Sequence, residues 1–261
     1  MVADDSRPAL VLLHGFLGSA RNLSTLARGL AERRPDLAVV ALDLTGHGAA
    51  PPLPPAADTA TLAADVLAGA RALGLRGPVA LVGHSLGGRV ALRAAALDPA
   101  AVGGVTLLDV GPGPLHPGGA LDRVLEAVLS APDTFASRGE ARVTLVRAGL
   151  APELADWLLL NLEAAAGRYR WRVDRRALAT LHARIGREDL WPVVEGPRAW
   201  PLRCVRGAAS SYVTEHDARR LQAAGCPVVT IEGAGHFLHA ERPREVVDAV
   251  AAGMITPRVR P

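Results

Sequence analysis

Short apolar runs recur along the chain and constrain its fold more than any other feature. They are apolar at successive rather than alternate positions, which is typical of strands buried on both faces of a parallel sheet. The six runs are Ala9–Leu13, Leu37–Leu42, Val79–Val82, Val105–Leu108, Leu202–Val205 and Val228–Ile231. Stretches with helical spacing separate the first four runs, at Leu23–Arg33, Thr59–Leu73 and Leu86–Leu97. This alternation predicts an α/β fold in which helices flank a mostly parallel sheet.

A long segment, residues 111–200, separates the fourth run from the fifth. A structureless loop of that length is rare inside a domain, and the segment is mostly helical in pattern. We therefore predict a core domain of residues 1–110 and 201–261, with residues 111–200 forming a helical cap inserted after the fourth strand. All four tryptophans, at positions 157, 171, 191 and 200, lie in this segment. They either hold it together or line a pocket.

The basic residues exclude several classes of chemistry. All 29 are arginine, so the chain has no side-chain amine for a Schiff base, for pyridoxal phosphate or for a phosphate-binding loop. Arginine cannot replace lysine there because its guanidinium stays protonated. The net charge is only +3, and the arginines are scattered singly or in pairs among 26 acidic residues. This pattern predicts a solvated surface and no nucleic-acid partner.

The two cysteines, Cys204 and Cys226, form no CxxC pair and belong to no cluster with histidine. This predicts no zinc or other metal site. Both lie in or beside apolar runs, where a cysteine acts as a small buried hydrophobic residue. A disulfide between the two is the alternative.

Hydropathy argues against a membrane partner. Mean hydropathy is +0.20, and no run of about 18 apolar residues occurs. The start, Met1–Pro8, lacks a basic patch followed by an apolar stretch, so we expect no secretory signal. The expectation is a cytoplasmic protein that is a monomer or a dimer.

One local motif predicts a nucleophile. Gly83–Gly88 reads GHSLGG, follows an apolar run and precedes a stretch with helical spacing. Strand, turn and helix form the context in which G-x-S-x-G places a serine on a strained turn above the sheet. The helix that follows offers backbone N–H groups and the positive end of its dipole. We therefore predict Ser85 as the nucleophile.

Two further turns carry histidines. His14–Gly18 closes the first run, and we expect the Phe16 N–H, with the Leu86 N–H, to form an oxyanion hole. We expect His14 and His84 to be hydrogen-bonded structural residues. In the turn Asp43–Gly48, we expect the aspartate and the histidine to bond backbone groups.

The base and the acid follow from strand order. His236 lies in a glycine-rich loop after the last run, and ligand sites gather at the carboxyl ends of parallel strands. We predict His236 as the general base. We expect His182, His216 and His239 to be surface histidines instead. Asp109 ends the fourth run and is the preferred acid that orients the imidazole. No carboxylate follows the fifth run until Glu215 and Asp217, which stay open as alternatives.

Several segments together resemble the α/β-hydrolase superfamily, and more narrowly the YbfF-like bacterial esterases and their mitochondrial relatives. The broad motifs are HGF, DLTGHG, GHSLGG and GAGHFLHAERP, in the order Ser, Asp, His. The narrower resemblance comes from Gly18-Ser19 with Asn22-Leu23, Leu108–Pro112, Tyr169–Arg172 and Ser210–Val213. It covers residues 9–250, and in that subgroup the acid maps onto Asp109.

The resemblance implies a serine esterase without a cofactor that cleaves small esters or thioesters with short to medium acyl groups. Two other enzymatic activities on the same triad are alternatives: C–C bond hydrolysis and cofactor-free perhydrolysis. A third alternative is a ligand-binding protein that kept the fold and lost turnover.

Overall fold

The computed structural model describes residues 7–75, 77–115 and 120–253. Nine strands lie within these ranges: β1 Ala9–Leu13, β2 Ala38–Leu42, β3 Val79–His84, β4 Val102–Leu108, β5 Thr134–Phe135, β6 Leu162–Ala165, β7 Arg168–Trp171, β8 Leu202–Gly207 and β9 Val228–Ile231. The helices are α1 Ser24–Arg33, α2 Thr59–Ala72, α3 Leu86–Leu97, α4 Ala120–Ser130, α5 Arg138–Arg147, α6 Pro152–Leu158, α7 Arg175–Ile185, α8 Trp191–Glu195, α9 Glu215–Ala223, α10 Leu238–Glu241 and α11 Pro243–Gly253. Single 3-10 turns occur at Ala20–Leu23 and Leu159–Asn161.

The predicted sheet is confirmed. Six strands pair in parallel in the order β2-β1-β3-β4-β8-β9, and each contains one of the six apolar runs or most of it. The register pairs His84 with Leu108, and Leu108 with Val205. The carboxyl ends of β3, β4 and β8 therefore meet at one edge of the sheet. The loop after β9 starts beside them, since Gly207 pairs with Ile231.

Helices cover the faces of this sheet, as predicted. On one face, α1 and α11 pack against apolar strand residues, and the buried cluster includes Leu26 and Leu30 of α1 with Val246 and Val250 of α11. The two helices approach each other closely at Gly29, where an added Cβ would lie 2.7 Å from Val247 Cγ2. In α3, which directly follows β3, nine of twelve residues are buried. These helices thus bury the strands whose ends carry the candidate site.

The chain divides into two units. The first consists of the described residues in 1–44, 59–113 and 189–261, and the second of 45–58 and those in 114–188. Two tryptophans, Trp191 and Trp200, belong to the first unit and are buried there. The guanidinium of Arg220 lies 3.9 Å from the centre of the Trp191 ring and also forms paired hydrogen bonds with Glu195.

The second unit contains α4–α7, as the helical pattern predicts, but it also contains a three-stranded antiparallel sheet in the order β5-β7-β6. A two-residue turn joins β6 to β7, and both of its residues have positive φ: Ala166 at 49° and Gly167 at 75°. Such turns match the twist of a hairpin. Phe135 and Trp171 pack edge to face across this sheet, with ring centres 6.0 Å apart. The insertion was predicted as mostly helical, and the small antiparallel sheet is an element that the helical pattern did not indicate.

The cysteines are free and buried, as predicted. Burial raises the pKa of the Cys204 thiol well above its usual value and raises that of Cys226 to about 12. Both thiols stay protonated near neutral pH, so neither is a reactive nucleophile.

In the described part of the chain the longest helix, α2, has 14 residues, and no helix there is long and apolar enough to cross a bilayer.

Candidate active site

Ser85 sits on a strained turn between β3 and α3. Its φ of 51° and ψ of −115° are unusual for a residue with a side chain, and only 8% of its surface is exposed. Glycine is required at positions 83 and 87 on either side of Ser85, because a side chain there would collide with the backbone. An added Cβ on Gly83 would lie 2.2 Å from the carbonyl carbon of Gly87, and one on Gly87 would lie 2.4 Å from Leu13 O. The local geometry is therefore that of the predicted elbow.

The loop after β1 packs against this turn. An added Cβ on Gly15 would lie 3.3 Å from Ser85 Cβ, and Phe16 is the next residue along the loop. Leu86 is the first residue of α3, a position whose N–H has no acceptor within the helix. The structure thus brings both predicted oxyanion donors to the neighbourhood of Ser85. Their role as donors stays a prediction.

Asp109 follows β4 and is fully buried, with a φ of 51°. Its carboxylate accepts three hydrogen bonds from separate parts of the chain. Oδ2 accepts from His236 Nδ1 at 2.7 Å and also from the Ser210 hydroxyl, whereas Oδ1 accepts from the Gly207 N–H at 3.0 Å. A buried carboxylate needs such donors to offset the loss of water.

The alternative acids are engaged elsewhere. Glu215 forms an ion pair with Arg206 on the surface. Asp217 accepts hydrogen bonds from the N–H and hydroxyl of Thr214, at 3.0 and 2.7 Å, and so caps the start of α9. The carboxylate that contacts the His236 ring is that of Asp109.

The His236 imidazole is held by a stacking contact as well as by the hydrogen bond from its Nδ1. The Tyr212 ring stacks on it with centres 3.7 Å apart and planes 16° apart. Because Nδ1 donates to Asp109, a neutral imidazole carries no proton on Nε2 and can accept one there. The ring of His84, which precedes Ser85 in the chain, lies 4.7 Å from the His236 ring. His236 is therefore beside the elbow.

Sequence reasoning missed Ser210 and Tyr212 as residues of the site. Both belong to the Ser210–Val213 segment that carries part of the narrower resemblance, so a signal was present. Spacing alone does not indicate a role for either residue type. Ser210 contacts Asp109, which is 101 positions away in the chain, and the Tyr212 ring contacts a histidine in a different loop.

His14 and His84 are structural residues, as predicted. His14 Nδ1 donates to Gly15 O at 2.8 Å, and its Nε2 accepts the Leu44 N–H at 3.0 Å. His84 Nε2 donates to His236 O at 2.8 Å. Burial lowers the pKa of His14 to about 4, and burial with the nearby imidazoles of His239 and His236 lowers that of His84 well below its usual value.

The turn after β2 also behaves as expected. Asp43 Oδ1 accepts the Ala20 N–H at 2.6 Å, and His47 Nδ1 lies 3.3 Å from Thr45 O. Both side chains thus bond backbone groups and shape their turns.

Two histidines expected on the surface are buried instead. His182 lies 3.8 Å from Asp122 in an ion-pair geometry, and burial lowers its pKa. The ring of His239 lies tilted by 58° against that of His84, with ring centres 4.4 Å apart, and burial lowers the pKa of His239 to about 4. Despite this gathering of imidazoles, no group of three His, Cys, Asp or Glu side chains within the described ranges could hold a metal ion.

Comparisons with known proteins find similar sequences and similar solved structures. The sequence pattern of the Alpha/beta hydrolase family matches residues 10–249. The chain is 30% identical to the sn-1-specific diacylglycerol lipase of Mus musculus over 256 residues, which cover 95% of this chain and 81% of the lipase. It is 33% identical to Lipase LipV of Mycobacterium tuberculosis over 263 residues, which cover 97% and 95%. A solved marine microorganism esterase superimposes with a TM-score of 0.84 at 25% identity, covering 95% and 96%.

The buried histidines predict how stability depends on pH. The folded state holds His14 and His239 neutral down to about pH 4, whereas the unfolded chain protonates them near pH 6.5. The free energy of unfolding should therefore fall as pH decreases from about 6.5 to about 4, by roughly 3 kcal/mol for each residue. Urea unfolding at several pH values measures this dependence.

The substitution His239→Leu should make the dependence shallower, because it removes one of the titrating groups. His216→Gln on the exposed face of α9 is the matched control and should leave the slope unchanged. Equal slopes in the wild type and in His239→Leu would contradict the assignment.

Proposed function

Since this chain belongs to the alpha/beta hydrolase family and is an ester hydrolase, we propose that it cleaves carboxylic esters of short to medium acyl length through an acyl-enzyme intermediate on Ser85. The observation that carries this proposal is the 2.7 Å hydrogen bond between His236 and Asp109. The two residues are 127 positions apart in the chain, yet they meet at the edge of the sheet where β3 ends and the Ser85 turn begins.

In the first step, Ser85 Oγ attacks the ester carbonyl and His236 Nε2 takes its proton. Asp109 keeps the imidazole oriented and stabilises the imidazolium that forms. The Phe16 and Leu86 N–H groups donate to the developing oxyanion, and removal of one such donor typically costs about 3–4 kcal/mol. The tetrahedral intermediate then collapses, and the C–O bond to the alcohol breaks as His236 returns the proton to the leaving oxygen.

In the second step, water replaces the alcohol. His236 takes a proton from the water, the hydroxide oxygen adds to the acyl carbon, and the bond to Ser85 Oγ breaks as the serine regains a proton. The products are a carboxylic acid and the original enzyme. The stacked Tyr212 ring supports this cycle because it limits rotation of the imidazole between the two proton transfers.

The nucleophile is tested by Ser85→Ala. We expect kcat for p-nitrophenyl butyrate to fall by at least about 10⁴-fold with an unchanged unfolding transition, because the attacking oxygen is gone. Ser24→Ala, at an exposed serine of the first unit, is the control and should retain full activity. A fluorophosphonate probe should label the wild type and the control but not Ser85→Ala; labelling of that variant would contradict the proposal.

The acid is tested by a set of three isosteric variants. Asp109→Asn should lower kcat by roughly 10³–10⁴-fold, since an amide favours the wrong imidazole tautomer. Glu215→Gln and Asp217→Asn are matched controls because each removes a carboxylate from the first turn of α9. If either control loses as much activity as Asp109→Asn, the acid has been assigned to the wrong residue.

Acyl preference is tested by a series of p-nitrophenyl esters from acetyl to palmitoyl. We expect kcat/KM to peak at short to medium chains, since each added methylene changes transition-state binding by about 1–3 kcal/mol only where the pocket receives it. Diacylglycerol belongs in the same series because one relative is named a diacylglycerol lipase. A clear preference for palmitoyl esters or diacylglycerol would overturn the proposed chain length.

A further inference from the structure

Glu241, the last residue of α10, reaches back to the loop that carries His236. Its Oε2 accepts the Gly235 N–H at 2.6 Å, and its Oε1 accepts the Phe237 N–H at 3.2 Å. These two N–H groups lie on either side of His236. One carboxylate therefore holds the backbone both before and after the candidate base.

The backbone carbonyl of His236 is held as well, by the last residue of β3. His84 Nε2 donates to His236 O at 2.8 Å, and His84 is fixed next to Ser85. The backbone of His236 is thus linked to the elbow by the neutral, buried imidazole of His84 and to α10 by the carboxylate of Glu241. Neither residue bonds the His236 ring nitrogens.

The loop needs such support because of its composition. Gly233, Ala234 and Gly235 precede His236, and Gly233 has a φ of 64°. Glycines leave the backbone more conformational freedom than other residues. Gly235 also leaves room for the carboxylate, since an added Cβ there would lie 3.2 Å from Glu241 Oε1.

We propose that Glu241 is a positioning residue for His236: its carboxylate fixes the two peptide groups that flank the base and so holds the imidazole in register with Ser85. This inference rests on the proposed function. Glu241 acts through the backbone of His236 and takes no part in proton transfer. A displacement of about 1 Å at a reacting group can cost on the order of 10²-fold in rate.

The exposure of Glu241 makes the proposal testable, because an exposed side chain contributes little to the core and its variants should fold. We expect Glu241→Ala to lower kcat by roughly 10–100-fold with KM changed by less than about threefold. Glu241→Gln keeps one carbonyl oxygen as an acceptor and should recover part of the loss. Glu245→Ala removes a second exposed carboxylate four residues away, on α11, and should retain wild-type kcat.

A second readout does not depend on turnover. The proton on His236 Nδ1 should give a low-field NMR resonance, assigned by its loss in His236→Gln, that shifts and exchanges faster with water in Glu241→Ala but not in Glu245→Ala. If the wild type hydrolyses no ester while this resonance responds as stated, the proposed function fails and the positioning role stands. Unchanged kcat and an unchanged resonance in Glu241→Ala would overturn the positioning role, as would an equal loss of kcat in Glu245→Ala.

Discussion

The rest of the site depends on the hydrogen bonds that the buried carboxylate of Asp109 accepts. This carboxylate is fully buried, and its hydrogen bonds come from the end of β8, from the following loop and from the loop after β9. A buried charge with fewer donors would destabilise the fold by several kcal/mol, so all three segments must be in place together. The same group therefore links the strand ends to one another and sets the orientation of the His236 ring.

The sequence predicts the sheet well because buried parallel strands are apolar without interruption. β1 and β9 have the predicted boundaries, and the elbow is recognisable because its glycines meet a local steric requirement. Asp109 and His236 follow from strand order, since side chains after neighbouring parallel strands meet at one edge. These features are local or topological, so a single sequence contains them.

Other features depend on long-range contacts that leave no periodic signal. The turn at Ala166 forces a residue with a side chain into positive φ, which composition does not suggest. Glu241 lies in the GAGHFLHAERP segment, but its link to the His236 backbone becomes visible only in the two hydrogen bonds that it accepts. His239 is polar, which favours the surface, but it is buried against His84 because tertiary packing outweighs that preference.

Three residues with side chains and positive φ lie at the same edge of the sheet: Leu17 at 57°, Ser85 at 51° and Asp109 at 51°. Each such backbone costs on the order of 1–3 kcal/mol, and the surrounding packing must hold it in place. The strained backbone at this edge is therefore stable only while the packing beneath it is intact. Mutations that weaken this packing should let the three residues relax from their positive φ values before the protein unfolds, and heat inactivation should precede loss of secondary structure.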